Sequence, residues 1–203
     1  MNIKKTAYFL LNFVIKRLAE IFGIIIFAAG ILLIISLISY SPEDPNFIFP
    51  DTTKIKNLLG FQGAFTSDLF LQSIGLISYL ISFTLIITGF NIFRDKEFFL
   101  IINNIFFSII YIVFGSLFLH HFYGNDYLLH INGNGGFVGN YLDKTFLNSI
   151  IQINEIIFYY FLIFLTIIFF LVSINFNGKN FYNSIQKILA LLLNKKVSTH
   201  TDK

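Results

Sequence analysis

The sequence contains no cysteine and no tryptophan, and only 12% of its 203 residues are charged. The missing cysteines exclude disulfides, thiol catalysis and cysteine-ligated metals. The low charge excludes an ordinary soluble domain, in which roughly a quarter of the residues are charged. Hydrophobic residues make up 56% of the chain and are concentrated in long uncharged runs. This distribution predicts a membrane protein.

Motifs that bind nucleotides are also missing. The Walker pattern G-x-x-x-x-G-K-[ST] does not occur, because the one Gly-Lys pair, at 178–179, is not followed by serine or threonine. The glycine cluster at 133–136 has Val138 where a dinucleotide fingerprint requires its third glycine. We therefore predict no enzymatic activity and no cofactor for this chain.

The histidines do not form a recognisable metal-binding motif. His120 and His121 are adjacent, and adjacent residues do not share a helix face. His130 follows later in the same loop, and no cysteine or glutamate completes a zinc-site spacing. We predict that His120 and His121 are polar residues where a helix leaves the membrane, and not metal ligands.

Four uncharged runs are long enough to cross a bilayer as helices. A spanning helix needs about 20 apolar residues for a hydrocarbon core of ~30 Å. The runs also lack the period-2 alternation expected of barrel strands. The predicted transmembrane helices are 21–40, 69–93, 98–119 and 150–174. The uncharged run of the fourth helix begins at Ile156. Placing the start of that helix at Ile150 brings Glu155 into it.

The positions of the basic residues predict the orientation. All but three of the 14 Lys and Arg residues lie on one side of the four helices, the exceptions being Lys54, Lys56 and Lys144. Segments rich in Lys and Arg remain in the cytoplasm. We therefore predict an all-α membrane protein with four transmembrane helices, short interfacial helices and both termini in the cytoplasm.

The same pattern divides the remaining residues into cytoplasmic and outer segments. The cytoplasmic segments are an amphipathic lead-in at 1–20, a turn at 94–97 and a tail at 175–203. The outer, periplasmic loops are 41–68 and 120–149. A cleavable signal peptide is the alternative for the lead-in, but no small-x-small cleavage site follows its apolar run.

Two groups of residues are candidates for roles in loop shape and helix packing. In the first outer loop, the residues predicted to set its shape are Asp44, Pro45, Asn57, Gly60 and Gly63. In the first span, Gly23 and Gly30 form a stripe of small residues that lets helix backbones approach closely. The sequence leaves open whether that contact lies within the bundle or between copies.

Several short segments resemble one protein family in their order and spacing. They are 17–23, 39–45 with its Ser-Pro-Glu-Asp-Pro turn, 57–65, 68–69 and 135–139. Together they resemble the four-helix membrane region of the FtsK/SpoIIIE family of bacterial DNA translocases. The resemblance covers about residues 17–177, most of the chain.

The resemblance implies a domain of the bacterial inner membrane that anchors a DNA-pumping motor at the division septum. It implies a homo-oligomer that contacts membrane lipid and other cell-division membrane proteins. In the family, a RecA-like ATPase motor follows a long linker, whereas this chain stops at Lys203, where the linker would begin. Contact with DNA is therefore expected only through a motor that this chain lacks.

Two other functions fit the sequence. A stand-alone four-helix scaffold would share the topology and the partners, without a motor. A small channel or transporter would instead place Asn103 and Asn104, or Glu155, along a water-lined path, because polar groups inside a membrane are the usual functional residues. We rank the anchor first, the scaffold second and the channel third.

Overall fold

The computed structural model describes residues 3–45, 54–124 and 131–179, with positions 182 and 186, and side chains from Tyr8 onward. All regular structure in these residues is helical, as predicted from the sequence. The α-helices are α1 (Ile3–Ile38), α2 (Gly60–Ile74), α3 (Ser78–Asp95), α4 (Leu100–Tyr123), α5 (Gly136–Asp143), α6 (Phe146–Ile153) and α7 (Glu155–Ser173). A 3-10 turn, Gly75–Ile77, joins α2 to α3.

Four helical segments are long and apolar enough to cross a membrane, which confirms the predicted number of crossings. They are Tyr8–Ile38, Gly60–Asp95, Leu100–Tyr123 and Glu155–Ser173. The first is part of one continuous helix from Ile3, so the predicted lead-in at 1–20 is not a separate element within the described residues.

The second span begins earlier than the sequence predicts and contains a break. Helix α2 starts at Gly60, inside the segment predicted to be an outer loop up to residue 68. It ends at Ile74, and the next residue, Gly75, has a φ of +69°, which is accessible to glycine but strained for other residues. The backbone N–H of Leu76 donates to the Asn134 carbonyl (2.9 Å), so a residue of the second outer loop satisfies the break.

The fourth long helix begins at Glu155, five residues later than the predicted start at Ile150. Asn154 separates α6 from α7 with a non-helical backbone (φ −155°, ψ 86°). Its side chain accepts a hydrogen bond from the Ile157 backbone N–H (3.1 Å), which caps the new helix. Residues 146–153 therefore form a separate short helix before the crossing.

The four spans pack as two pairs. Helix α1 lies along α3, and α4 lies along α7, while α3 and α4 have a smaller interface with each other. The chain passes from the first pair to the second through a tight turn, in which Lys96 adopts a left-handed backbone (φ 59°). Helix α5 packs on α4 and α2, and it also contacts the 3-10 turn between α2 and α3.

Candidate functional site

Asp44 closes the first outer loop. Its two carboxylate oxygens accept hydrogen bonds from the backbone N–H groups of Lys56 (2.7 Å) and Asn57 (2.9 Å). Asp44 is buried, as is Pro45 beside it. Because charge-assisted hydrogen bonds to backbone N–H groups are among the stronger ones, this carboxylate fixes the two ends of the loop together.

Asn57 extends this contact to two helices. Its Nδ2 donates to the Ser36 carbonyl in α1 (2.9 Å), and its Oδ1 accepts from the Leu59 backbone N–H (3.0 Å). The Ser36 hydroxyl in turn donates to the Gly63 carbonyl in α2 (2.6 Å). We call Ser36, Asp44, Asn57 and Gly63 the outer junction, because they join α1, the first loop and α2 into one hydrogen-bonded unit.

Gly60 and Gly63 each require glycine, but for different structural causes. A Cβ on Gly63 would collide with Asn57 Oδ1 and lie 2.6 Å from Leu59 Cβ, so close approach excludes a side chain. Gly60 has open space around it but a φ of +64°, a backbone conformation that L residues rarely adopt. All five loop residues singled out in the sequence thus lie in or beside the outer junction, although their functional roles stay predictions.

Tyr40 and Asp68 add a contact that the sequence does not suggest. The Tyr40 hydroxyl donates to Asp68 Oδ1 (3.3 Å) across the start of the second span. Burial, reinforced by the charge of Asp68, raises the pKa of Tyr40 to about 12. On the exposed rim, the ion pair between Glu43 and Lys56 lowers the pKa of Glu43 and raises the pKa of Lys56.

Gly23 and Gly30 lie against α3 within the same chain. A Cβ on Gly23 would lie 2.6 Å from the Phe93 nitrogen and 2.8 Å from the Gly89 carbonyl oxygen. A Cβ on Gly30 would lie 2.8 Å from the Ile86 nitrogen. These glycines therefore allow backbone-to-backbone contact inside the bundle, one of the two possibilities that the sequence leaves open.

A polar layer near the inner ends of the helices joins the two pairs. Asn104 of α4 donates to the Thr88 hydroxyl of α3 (2.7 Å) and accepts from Asn175 (2.8 Å). Deeper in the bundle, the hydroxyls of Thr84 and Tyr111 are 3.0 Å apart. Asn104 and the two threonines are buried. Each hydrogen bond therefore pairs a polar atom to which the hydrocarbon of a lipid could offer no partner.

The residues considered for a channel do not converge. Asn104 is buried and hydrogen-bonded within the protein, whereas Asn103 is exposed on the surface of α4. Glu155 is exposed at the start of α7, at the opposite end of the bundle. This placement gives no support to a shared water-lined path.

The second outer loop docks into the break in the second span. A Cβ on Gly75 would collide with the Asn134 carbonyl, and the Asn134 side chain donates to the Tyr123 carbonyl (2.8 Å). The Ser116 hydroxyl of α4 donates to the Ile74 carbonyl (2.9 Å). The loop and the break therefore stabilise each other, a link that no local sequence signal indicates.

The histidines at the outer end of α4 are placed differently from each other. His121 Nδ1 lies 2.6 Å from Asp143 Oδ1, while His120 Nδ1 is buried without a hydrogen-bond partner among the described residues. His130 lies outside the described residues. In the part of the chain that the structure describes, no three His, Asp or Glu side chains come together as a metal site.

These features define a polytopic helical membrane domain, with two tightly packed helix pairs and an outer surface built from two docked loops. The chain belongs to the family described as the 4TM region of DNA translocase FtsK/SpoIIIE, whose profile matches residues 15–186. The resemblance noted in the sequence is thereby confirmed. The match is to the membrane region of such translocases and not to their ATPase motor.

Curated relatives agree with this family. The DNA translocase FtsK of Rickettsia typhi is 33% identical over 72 residues, which are 36% of this chain and 10% of the relative. The DNA translocase FtsK of Azospirillum brasilense is 32% identical over 87 residues, 42% of this chain and 14% of the relative. The matched segments thus cover roughly a tenth of the length of these relatives. No solved structure matches the chain.

Proposed function

We propose that this chain is the membrane-anchoring and assembly domain of an FtsK-type DNA translocase, acting in cell division and chromosome segregation in the bacterial inner membrane. The observation that carries the proposal is the family match, which reaches all four spans and includes both outer loops. The proposal includes the topology predicted from the charges, with both termini in the cytoplasm.

The inner ends of the first helix pair are suited to an anchor. Glu20 of α1 accepts from Arg17 (2.5 Å) and from Lys96 in the α3–α4 turn (2.7 Å). This three-residue ion-pair group ties α1 to the turn between the two pairs, at the membrane end that would face a motor. A force applied from the cytoplasm would therefore be shared between the helices.

The proposed assembly role rests on surfaces that the bundle leaves uncovered. Helix α7 packs chiefly against α4, and it exposes large apolar side chains elsewhere. The exposed residues of α7 include Ile156, Ile157, Tyr160, Phe164 and Ile167. In a membrane such a surface contacts lipid, further copies of the chain or the spans of other division proteins.

A chimaera tests the function directly. The membrane region of FtsK in a genetically tractable bacterium is replaced by this chain, followed by the host linker and motor and a fluorescent protein. We expect midcell fluorescence and normal division. A chimaera that inserts with four crossings but spreads evenly over the membrane, in cells that grow as filaments, would contradict the proposal.

A matched pair of variants separates assembly from simple insertion. The change Asn57→Ala removes a link between α1 and the first loop, whereas Asn103→Ala alters an exposed amide on α4. Midcell recruitment should fall with Asn57→Ala and remain with Asn103→Ala, at equal membrane levels. Topology is checked with reporters fused after Gly124 and after Lys203, which should be outside and inside respectively.

Chromosome segregation distinguishes the stand-alone scaffold from the motor anchor. If the chain is an anchor for a motor, cells with the chimaera lacking the motor should divide but trap chromosomal DNA at the septum. If it acts without any motor, its loss should mislocalise division proteins while segregation stays normal.

A further inference from the structure

A groove of about 480 Å³ opens beside α2, near the outer end of the second span. Its polar lining is provided by Asp68, Gln72, Ser73 and Asn132, and its aromatic lining by Phe65 and Phe137. It therefore combines a carboxylate, amides and a hydroxyl with apolar walls. Neither the outer junction nor the inner polar layer uses this space.

The carboxylate in the groove is the unusual feature. Asp68 is 8% exposed and accepts a single side-chain hydrogen bond among the described residues, from Tyr40 at 3.3 Å. None of the ion pairs in the described part of the chain includes it. A carboxylate withdrawn from water is unfavourable unless a cation or several donors compensate its charge. The groove thus presents a negative group that an incoming cation can pair with.

Another polar group in the groove can bind an anionic group that accompanies such a cation, as in a zwitterionic molecule. The Ser73 hydroxyl lines the groove and donates to no other group among the described residues, so it is available to an anion. The Asn132 amide nitrogen in the same groove already donates to the Gln72 carbonyl (3.2 Å) and to Gln72 Oε1 (3.4 Å), so Ser73 is the donor left for an anion. A phosphate next to an ammonium group would thus meet the Ser73 hydroxyl as a donor in the same groove as Asp68.

The position of the groove favours a lipid as its occupant. Asp68 is the last ionisable carboxylate before the uncharged run of the second span, and Leu69 after it is exposed. Phe137, which α5 contributes to the lining, is also largely exposed and offers an aromatic face to a cation. A molecule with a polar head in the groove would therefore continue along the apolar surface of the helix into the bilayer.

We propose that this groove binds the head group of a phospholipid that carries a primary ammonium, as phosphatidylethanolamine does. The ammonium N–H groups donate to the Asp68 carboxylate, and the phosphate accepts from the Ser73 hydroxyl. The acyl chains lie against the exposed apolar residues of α2. A basic side chain of a partner protein would also pair with Asp68, but it would not use the apolar surface that leads into the membrane.

Native mass spectrometry of the whole purified chain tests this assignment. The protein is mixed with equal amounts of phosphatidylethanolamine, phosphatidylglycerol and phosphatidylcholine of identical acyl chains. We expect phosphatidylethanolamine to be retained roughly tenfold more than the other two, because only its head group combines a positive charge with N–H donors for the carboxylate. Phosphatidylcholine is the matched control, since its quaternary ammonium carries the same charge without an N–H group.

Two variants of Asp68 sharpen the test. Asp68→Asn should abolish the preference while keeping an acceptor for Tyr40, and Asp68→Glu should retain most of it. Glu43→Gln removes an outer acidic group that pairs with Lys56, away from the groove, and should leave the preference unchanged. Thermal melting of each variant confirms that it is folded.

Three results would overturn the proposal. They are equal retention of the three lipids by the unaltered chain, an undiminished preference in folded Asp68→Asn, and a loss of preference in Glu43→Gln. Equal lipid retention, together with a cross-link from position 137 to a basic segment of a division protein that requires Asp68, would assign the groove to a protein partner instead.

Discussion

The two helix pairs span the same membrane but are held together by opposite means. Between α1 and α3, the glycines at 23, 30 and 89 remove side chains, and the backbones touch. Between α4 and α7, large rings fill the space, with Phe169 stacked on Phe107 and Phe114 at centroid distances of 6.2 and 6.1 Å. Where lipid removes the usual hydrophobic driving force, both close backbone approach and aromatic packing serve to hold helices together.

This difference in packing predicts how well each helix pair tolerates substitutions. A glycine contact between backbones has no soft atoms that could move, so an added side chain must separate the helices. An aromatic contact has many atoms and can relax partly around a smaller side chain. The α1–α3 pair should therefore be the rigid part of the domain, and the α4–α7 pair the adaptable one.

The largest expected effect comes from Gly89→Leu. A Cβ at this position would collide with the Phe27 nitrogen and lie 2.7 Å from the Gly23 carbonyl oxygen. We expect a loss of about 3 kcal/mol of stability, measured by thermal unfolding in detergent. Gly178→Leu is the matched control, since among the described residues its Cβ would meet only Phe176, at 3.8 Å. Equal melting of both variants would remove the distinction between the pairs.

A smaller effect is expected from Phe169→Ala in the aromatic pair. The change removes two ring contacts from a half-buried position, so we expect a loss of about 2 kcal/mol. Phe164→Ala, on the exposed side of α7, is the control and should change melting little. If Phe169→Ala destabilised the chain as much as Gly89→Leu, the second pair would be as rigid as the first.

The connection between the pairs should respond more weakly still. Asn104→Leu removes the hydrogen bonds to Thr88 and Asn175, each worth ~1 kcal/mol or less in a membrane. The effect of Asn104→Leu on the contact between the pairs can be measured without a stability assay. Because the sequence has no cysteine, two introduced cysteines report on the distance between their two positions alone.

A cysteine pair measures this connection. The hydroxyls of Thr84 and Ser173 are 3.5 Å apart, so Thr84→Cys with Ser173→Cys should form a disulfide across the two pairs. We expect Asn104→Leu to slow this oxidation severalfold, and Asn103→Leu to leave it unchanged. An unchanged rate in Asn104→Leu would show that the polar layer does not hold the pairs in register.

The features that the sequence indicates are those that depend on one segment alone. The four crossings follow from the length of uncharged runs, and the small-residue stripe at Gly23 and Gly30 follows from their spacing. Asp44 and Asn57 could be singled out as turn residues because these side chains often bond to nearby backbone, and their role in shaping the loop stays a prediction. In each case the physical cause of the signal lies in the segment that carries it.

The features that escaped prediction depend on contacts between distant segments. The segment from Gly60 to residue 68 is predicted from the sequence to be a loop, whereas it is helical. Its Gly63 carbonyl accepts from Ser36 of α1, and its Asp68 accepts from Tyr40. The break at Gly75 is satisfied by Asn134, which lies beyond α4 in the chain. The partners of Asn104 likewise come from α3 and from beyond α7. A single sequence does not reveal such pairings.

The outer end of the rigid pair carries a titratable contact, because Tyr40 follows α1 and donates to Asp68. The pKa of Tyr40 is raised to about 12, chiefly by burial, so the folded state favours the neutral hydroxyl. The resulting stabilisation is complete below the ordinary pKa of 10 and is lost as the pH rises through 12.

The smallest expected effect is the response of this contact to alkaline pH. We expect the melting temperature of the unaltered chain to fall between pH 10 and 12, and Tyr40→Phe to reduce that fall. Tyr160→Phe, at an exposed position of α7, should leave it unchanged. A fall of the same size in Tyr40→Phe would mean that alkaline pH acts elsewhere, and that the Tyr40–Asp68 contact does not extend the rigidity of the first pair outward.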